Sequence, residues 1–275
     1  RDAVMSGRFF RDLRLPRPDV NLGVSGGTRR DQVARMRRRL EPILRRLKPD
    51  LALVYGDTNS TYAGAMAAHA LGIPVAHVES GLRSGNRSMP EEKNRVATDR
   101  VSALLFCPTR TAVRNLRREG RRTGIHPVGD VMLDALRAAA PAARRRARRV
   151  LADLGLRRGA YVLATLHRQE NVDRPARLAR LMTALSDLND TVVFPAHPRT
   201  RARLRAARLW DRLSRTPRVR LVAPVGYLDF LALEMGARGI LTDSGGVQRE
   251  AYFLGVPCVL LRRETEWPEP VAAGA

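Results

Sequence analysis

Short apolar runs alternate along this chain with longer stretches whose apolar residues recur at helical spacing, and each run ends at a glycine, aspartate, histidine or proline. That rhythm predicts successive strand–helix–strand units, because strands covered on both faces read as continuous apolar runs. LALVYGD (51–57) predicts a buried strand, STYAGAMAAHAL (60–71) a small-residue helix packed closely on it, and IPVAHVE (73–79) the next strand. ALLFCP (103–108) continues the series. A helix from Thr109 to about Glu119, a short strand at IHPVG (125–129) and a helix with Asp130 as N-cap follow.

Residues 140–150 (APAARRRARRV) carry a proline and five arginines in six positions, with no apolar face wide enough for a core, so the domain junction is expected there. A second series then runs through YVLATL (161–166), TVVFPAH (191–197), VRLVAPV (219–225), GILTD (239–243) and VPCVLL (256–261). The pattern predicts an α/β protein of two Rossmann-like domains with a central cleft, residues 1–145 and 146–275. A chain of 275 residues with 44% hydrophobic content is large enough for two such cores.

The formal charge of +23 raises nucleic acid as a partner. Its distribution argues otherwise. Lys48 and Lys93 are the only lysines, and the arginines recur along predicted helix faces throughout the chain instead of forming one stripe with interleaved aromatics, which describes a solvated basic surface. No run approaches the roughly 20 apolar residues of a membrane span, and Arg1, Asp2 and Ala3 open no signal-peptide pattern; a soluble, cytoplasmic protein is expected. Cys107 and Cys258 each lie in an apolar run beside a proline and are expected as buried hydrophobes, without disulfide or metal.

In open parallel sheets ligands bind beyond the carboxyl ends of the strands, and Asp57, Glu79, His167, His197 and Asp243 all fall there. TDSGGVQREA (242–251) is the strongest local signal: a strand ends, two glycines turn, and a helix begins. Free backbone N–H groups and the positive end of a helix dipole suit a diphosphate. Ser244 could donate to a phosphate oxygen or simply cap the helix. YGDTNST (55–61) is a similar turn with Asp57 at its tip, where an N-cap is the plain alternative. Glu79 and Glu91 add two carboxylates to Asp57; the three are plain surface charge, or serve proton removal and return if burial or mutual repulsion raises the proton affinity of one or two. LHRQEN (166–171) and PAHPRT (195–200) each place a histidine and an arginine at a strand end, suited to an anionic phosphate; neither histidine has a partner at metal-ligand spacing.

Taken in order, YGDTNSTYAG, HVESGLRSGNRSMPEEKNR, VGDVMLDAL, ATLHRQEN, FPAHPRT, APVGYLDF, TDSGGVQREAYFLGVPCV and RRETEWPE cover almost the whole chain. Together they resemble the non-hydrolysing UDP-N-acetylglucosamine 2-epimerases, including relatives acting on UDP-linked diacetamido uronic sugars. The resemblance implies a GT-B-like fold, UDP held mainly by the second domain, and C2 epimerisation through a 2-acetamidoglucal with no cofactor. It implies Asp57, Glu79, Glu91 and His167 as catalytic groups. Arg95, His197, Ser244, Gly245, Gly246 and Glu250 would hold the nucleotide, with Phe230 near the uracil. A homodimer is also implied. Against the family's pattern the chain is expected to be truncated at both ends, starting after an N-terminal strand and loop and stopping before C-terminal helices. A glycosyltransferase of related fold and a nucleic-acid-binding basic protein stand as the alternatives.

Overall fold

The computed structural model describes residues 10–274, so the reading of the opening RDAVMSGRF lies outside the described residues. The chain forms two compact units, one of residues Pro18–Val131 with Glu264–Glu266, the other of the described residues up to Arg17, Met132–Arg263, and the segment from Trp267 onward.

The first unit is a four-stranded parallel sheet. Helix α1 (Arg29–Leu47) leads into β1 (Ala52–Tyr55), α2 (Asn59–Ala70), β2 (Val75–Val78), α3 (Pro90–Val101), β3 (Leu104–Cys107), α4 (Arg110–Arg118) and β4 (Ile125–Pro127), with the strands side by side in chain order. Thr28 starts α1 with a capping box, its side chain accepting from the Asp31 N–H while Asp31 reaches back to the Thr28 N–H, so GVSGGTRR is a loop into a helix. Helix α2 is made of small residues because it lies close on β1: a Cβ on Gly64 would sit 3.4 Å from Val54 Cγ1. Every residue of β2 is buried, whereas β1 exposes Leu53 and Tyr55 along one face.

In the second unit α5 (Val131–Asp153) leads to β5 (Tyr161–Thr165), α6 (Gln169–Val172), α7 (Pro175–Ser186), β6 (Thr191–Pro195), α8 (Pro198–Ala206), α9 (Trp210–Ser214), β7 (Val219–Val222), α10 (Tyr227–Gly236), β8 (Gly239–Thr242), α11 (Gly245–Leu254), β9 (Cys258–Leu260) and α12 (Pro268–Ala272). The parallel sheet runs in the order β7-β6-β5-β8-β9. Alternation along β6 divides its side chains between two cores, Val192 and Phe194 packing with Leu166, Leu178 and Leu204, and Val193 with Tyr161, Leu163 and Ile240.

The junction expected at residue 145 falls inside α5, and the two units part at Val131 and Met132 instead. Pro141 and the arginine block suggested a linker, yet Ala139 and Ala143 are buried against Leu228, Leu231 and Ala232. Small residues provide a narrow apolar face that a hydrophobicity pattern misses. The arginines lie on the other side, where Arg146 pairs with Asp12 and Asp229. Residues 10–17 accordingly belong with the second sheet and not with the first domain. Both cysteines are buried and unpaired. Among the described residues no helix is long and apolar enough to cross a membrane.

Candidate functional site

Two groups of polar side chains gather at strand carboxyl ends, one in each unit. In the first, β1 ends at Gly56, whose φ of +66° turns the chain sharply and presents Asp57. Asp57 is not the cap of α2. Thr58 takes that place, its side chain accepting from the Thr61 N–H, which leaves the Asp57 carboxylate available elsewhere. It pairs with Arg95 of α3, and the Asn94 side chain donates to the Asp57 carbonyl at 2.9 Å.

Glu79 follows β2 in the left-handed region, φ +67°, which a residue with a Cβ adopts only where its surroundings hold it. Its Oε2 lies 3.7 Å from where a Cβ on Gly56 would project, so the turns bearing Asp57 and Glu79 abut. Gly81 completes the second turn at φ +78°, and a Cβ there would stand 2.4 Å from the Ala112 carbonyl oxygen. Glu91 is half-buried in the first turn of α3, whose N1 position is Pro90.

The deeply buried carboxylate is its neighbour Glu92, which accepts from the Ser84 N–H and hydroxyl, both at 3.0 Å, from the Gly85 N–H at 3.2 Å, and from Arg95 at 2.6 Å. Arg95, expected on the nucleotide side, is 2% exposed and spans Asp57 and Glu92 within this unit. Sequence reasoning passed over Glu92 and Asp99, although Glu92, Arg95 and Asp99 recur at i, i+3 and i+7 and so share the inward face of α3.

In the second unit, strand order reverses direction between β5 and β8, the switch point where open α/β sheets leave a crevice. Asp243, at the end of β8, is wholly buried there. It accepts from the backbone N–H groups of His167 and Arg168 and from the Asn171 amide, and its Oδ1 lies 3.2 Å from His167 Nδ1. Burial would push this carboxyl up, but the hydrogen bond and charge of His167, the Asn171 amide and the Arg168 N–H outweigh it and hold Asp243 below the usual range. The His167 and His197 rings stand 6.0 Å apart at the ends of β5 and β6. His197 caps α8, its Nδ1 accepting from the Arg199 N–H.

Ser244 caps α11, accepting from the Val247 N–H, and Gly245 and Gly246 form its first two positions. Added Cβ atoms on Gly246 would meet Met132 Cε and Ser244 Oγ at 3.6 Å, ordinary contact distances. Glu250, one turn further, accepts from the Tyr227 hydroxyl at 2.8 Å. Burial raises the Glu250 carboxyl despite that bond and the Arg249 charge, and raises the adjoining Glu234, wholly buried, far more. Phe230, on α10 with Tyr227 and Glu234, packs against the core that contains Val247. The Arg249 guanidinium stacks on the Trp267 ring, 4.0 Å to its centroid, which ties the RRETEWPE segment to α11. Of the expected nucleotide ligands, the structure thus brings His197, Ser244, Gly245, Gly246, Glu250 and Phe230 onto the second sheet's helices and strand ends and places Arg95 with the carboxylates.

All of residues 1–275 match the family described as UDP-N-acetylglucosamine 2-epimerase. The chain is 48% identical over 273 residues to a UDP-N-acetylglucosamine 2-epimerase homolog of Methanococcus maripaludis, covering 99% of this chain and 76% of that protein. It is 46% identical over 281 residues to the UDP-2,3-diacetamido-2,3-dideoxy-D-glucuronate 2-epimerase of Pseudomonas aeruginosa, covering 100% and 76%. Among solved structures it superposes with a TM-score of 0.90 on the Methanocaldococcus jannaschii UDP-GlcNAc 2-epimerase in complex with UDP-GlcNAc and UDP, at 44% identity over 98% of this chain and 76% of that one.

Proposed function

Since the chain belongs to the UDP-N-acetylglucosamine 2-epimerase family, we propose that it inverts C2 of a UDP-linked N-acetylated hexose, interconverting UDP-N-acetylglucosamine and its manno epimer. The observation that carries the reading is the meeting of the Asp57 and Glu79 turns at Gly56, with Arg95 fixed on Asp57. Two carboxylates at adjacent strand ends can serve opposite faces of one carbon, one removing its proton and the other returning one.

In the first half-reaction the C2–H bond breaks, its electron pair becomes the C1–C2 double bond, and the C1–O bond to UDP breaks, giving 2-acetamidoglucal. UDP then adds back to C1 as a proton arrives on the other face of C2. Glu91 stands at the same helix end and would stabilise the oxocarbenium charge. Arg95, paired with Asp57, would orient it. The chemistry calls for no cofactor.

UDP would lie at the switch point of the second sheet, its diphosphate on the N–H groups of Gly245 and Gly246, where the α11 dipole is positive. Ser244, His167 and His197 would donate to phosphate oxygens and His167 to the leaving oxygen. Glu250 would accept from ribose hydroxyls in place of Tyr227, and Phe230 would lie near the uracil. A homodimer in the cytoplasm is part of the same reading. The identity to the Pseudomonas aeruginosa enzyme supports a second substrate, a UDP-linked 2,3-diacetamido uronic sugar.

Proton NMR of UDP-N-acetylglucosamine in D₂O tests the proposal. Deuterium is expected at C2 together with a manno product, both lost in Asp57→Asn. If a folded protein exchanges neither this sugar nor the diacetamido uronic one, the reading fails.

A further inference from the structure

His77 is the middle residue of a buried relay that the reaction as written does not use. It projects from β2 with no exposed surface, its Nδ1 2.7 Å from Asp99 Oδ1 and its Nε2 2.7 Å from the carbonyl oxygen of Gly56. The Gly56 carbonyl can only accept, so Nε2 donates to it, and Nδ1 faces the Asp99 carboxylate. The other oxygen of Asp99 accepts from the Gly81 N–H at 3.1 Å and pairs with Arg83 Nη1 at 2.7 Å. One carboxylate on α3 therefore grips the turn after β1 through His77 and the turn after β2 through Gly81 and Arg83.

Those turns carry Asp57 and Glu79. Gly56 and Glu79 both lie in the left-handed region, and a non-glycine residue stays there only when its surroundings over-determine it. Replacing a buried ion pair by apolar groups is often neutral or stabilising, so stability does not explain why a histidine, an aspartate and an arginine occupy this sheet end. Geometry does. Burial alone would raise the Asp99 carboxyl, yet the bond and charge of His77 and the Arg83 guanidinium hold it below the usual range, so it stays an acceptor for all three partners.

We propose that His77 and Asp99 are positioning residues that set the separation of the Asp57 and Glu79 carboxylates, and thereby the rate of C2 proton transfer, in the epimerisation read above. Both are buried, so neither would reach a substrate, and the groups read above as holding the diphosphate lie on the other sheet. Loss of the relay should therefore lower kcat and leave KM nearly unchanged.

The experiment measures kcat and KM of the full chain and of His77→Gln and His77→Gly, with C2 deuterium exchange in D₂O as the assay of the chemical step. An ångström of misplacement is worth about 10²-fold, so kcat and exchange should fall by about that factor with KM within about twofold. Imidazole added to His77→Gly should restore kcat at least tenfold, and should do nothing for Asp57→Asn. A cooperatively folded His77 variant with full kcat overturns the proposal, as does a loss in which KM rises in step or imidazole has no effect. If the His77 variants do not fold, Asp99→Asn carries the same test at unchanged volume, with the same KM-against-kcat split expected. A wild type that binds UDP but exchanges no C2 proton on either sugar sinks the catalytic reading and this proposal together; an active wild type beside an equally active variant sinks this proposal alone.

Discussion

His167 Nδ1 lies 3.2 Å from Oδ1 of Asp243, and the same carboxylate accepts the backbone N–H of His167 at 3.1 Å. The side chain and main chain of one residue are therefore fixed by one buried anion across the β5–β8 boundary. A buried carboxylate placed in this way orients the imidazole ring.

Asp243→Asn should loosen that boundary. An asparagine places an NH₂ group against one of the donors now served by carboxylate oxygens, at a cost of about 1–3 kcal/mol. The carboxyl is held below its usual range, so its contribution is complete above the unfolded value near pH 4 and fades as pH falls through the lower folded one. Urea denaturation should show the variant weaker at neutral pH and the difference narrowing on acidification. A constant difference across that window would mean that the carboxylate's charge is not the cause.

Arg95 joins Asp57 to Glu92, and Arg95→Gln strands the buried Glu92 beside a half-buried Asp57. A loss of about 3 kcal/mol is expected, at the low end for breaking a buried pair, because Glu92 keeps its Ser84 and Gly85 donors and the Asp57 side chain is 27% exposed. The Arg95→Gln and Glu92→Gln double-mutant cycle in chemical denaturation should return a coupling of at least ~1 kcal/mol. Strict additivity would show that the fork carries no net interaction.

Strand positions, helix starts and the Ser244 cap were legible because they follow from apolar periodicity and local turn chemistry. What escaped depended on partners distant in sequence. Asp243 gains its importance from His167 and Asn171, which are separated from it by more than 70 residues. His77 looks like any strand residue until Gly56 and Asp99 are seen on its two nitrogens. The domain boundary was misplaced for a different reason, since alanines at 139 and 143 pack α5 without raising its apolar content. Glu92 is legible in the sequence after all, because its i, i+3 and i+7 spacing with Arg95 and Asp99 marks one face of α3.

Glu234 makes stability run the opposite way with pH from Asp243. It is wholly buried beside the carboxyl of Glu250. Burial first, then the neighbouring Glu250, raises it well above the ordinary glutamate range. Above the unfolded value near pH 4.3 the unfolded chain releases this proton while the folded chain keeps it, so stability falls as pH rises toward the folded value. Glu234→Gln removes the titration and should match the wild type near pH 4 while exceeding it by a margin that grows as pH rises into mildly alkaline buffer. Thermal melts across pH check this, and parallel curves for the two proteins would refute it.

Gly246→Ala separates folding from nucleotide binding. Gly246 is the second residue of α11, its φ is not in the left-handed region, and an added Cβ meets only Met132 Cε and Ser244 Oγ at 3.6 Å. Nothing in the chain's own packing requires glycine here, and alanine in a helix is favoured by up to about 1 kcal/mol, so the variant should melt at or above the wild-type temperature. A diphosphate seated on the α11 N-terminus would need close approach to this backbone, and the new methyl group would stand in its way. Calorimetric titration with UDP should then show at least a tenfold loss of affinity, roughly 1.4 kcal/mol, in a protein of undiminished stability. Unchanged affinity would move the diphosphate away from the Ser244–Gly246 turn, and a drop in melting temperature would instead mean that the methyl group disturbs Met132 or the Ser244 cap.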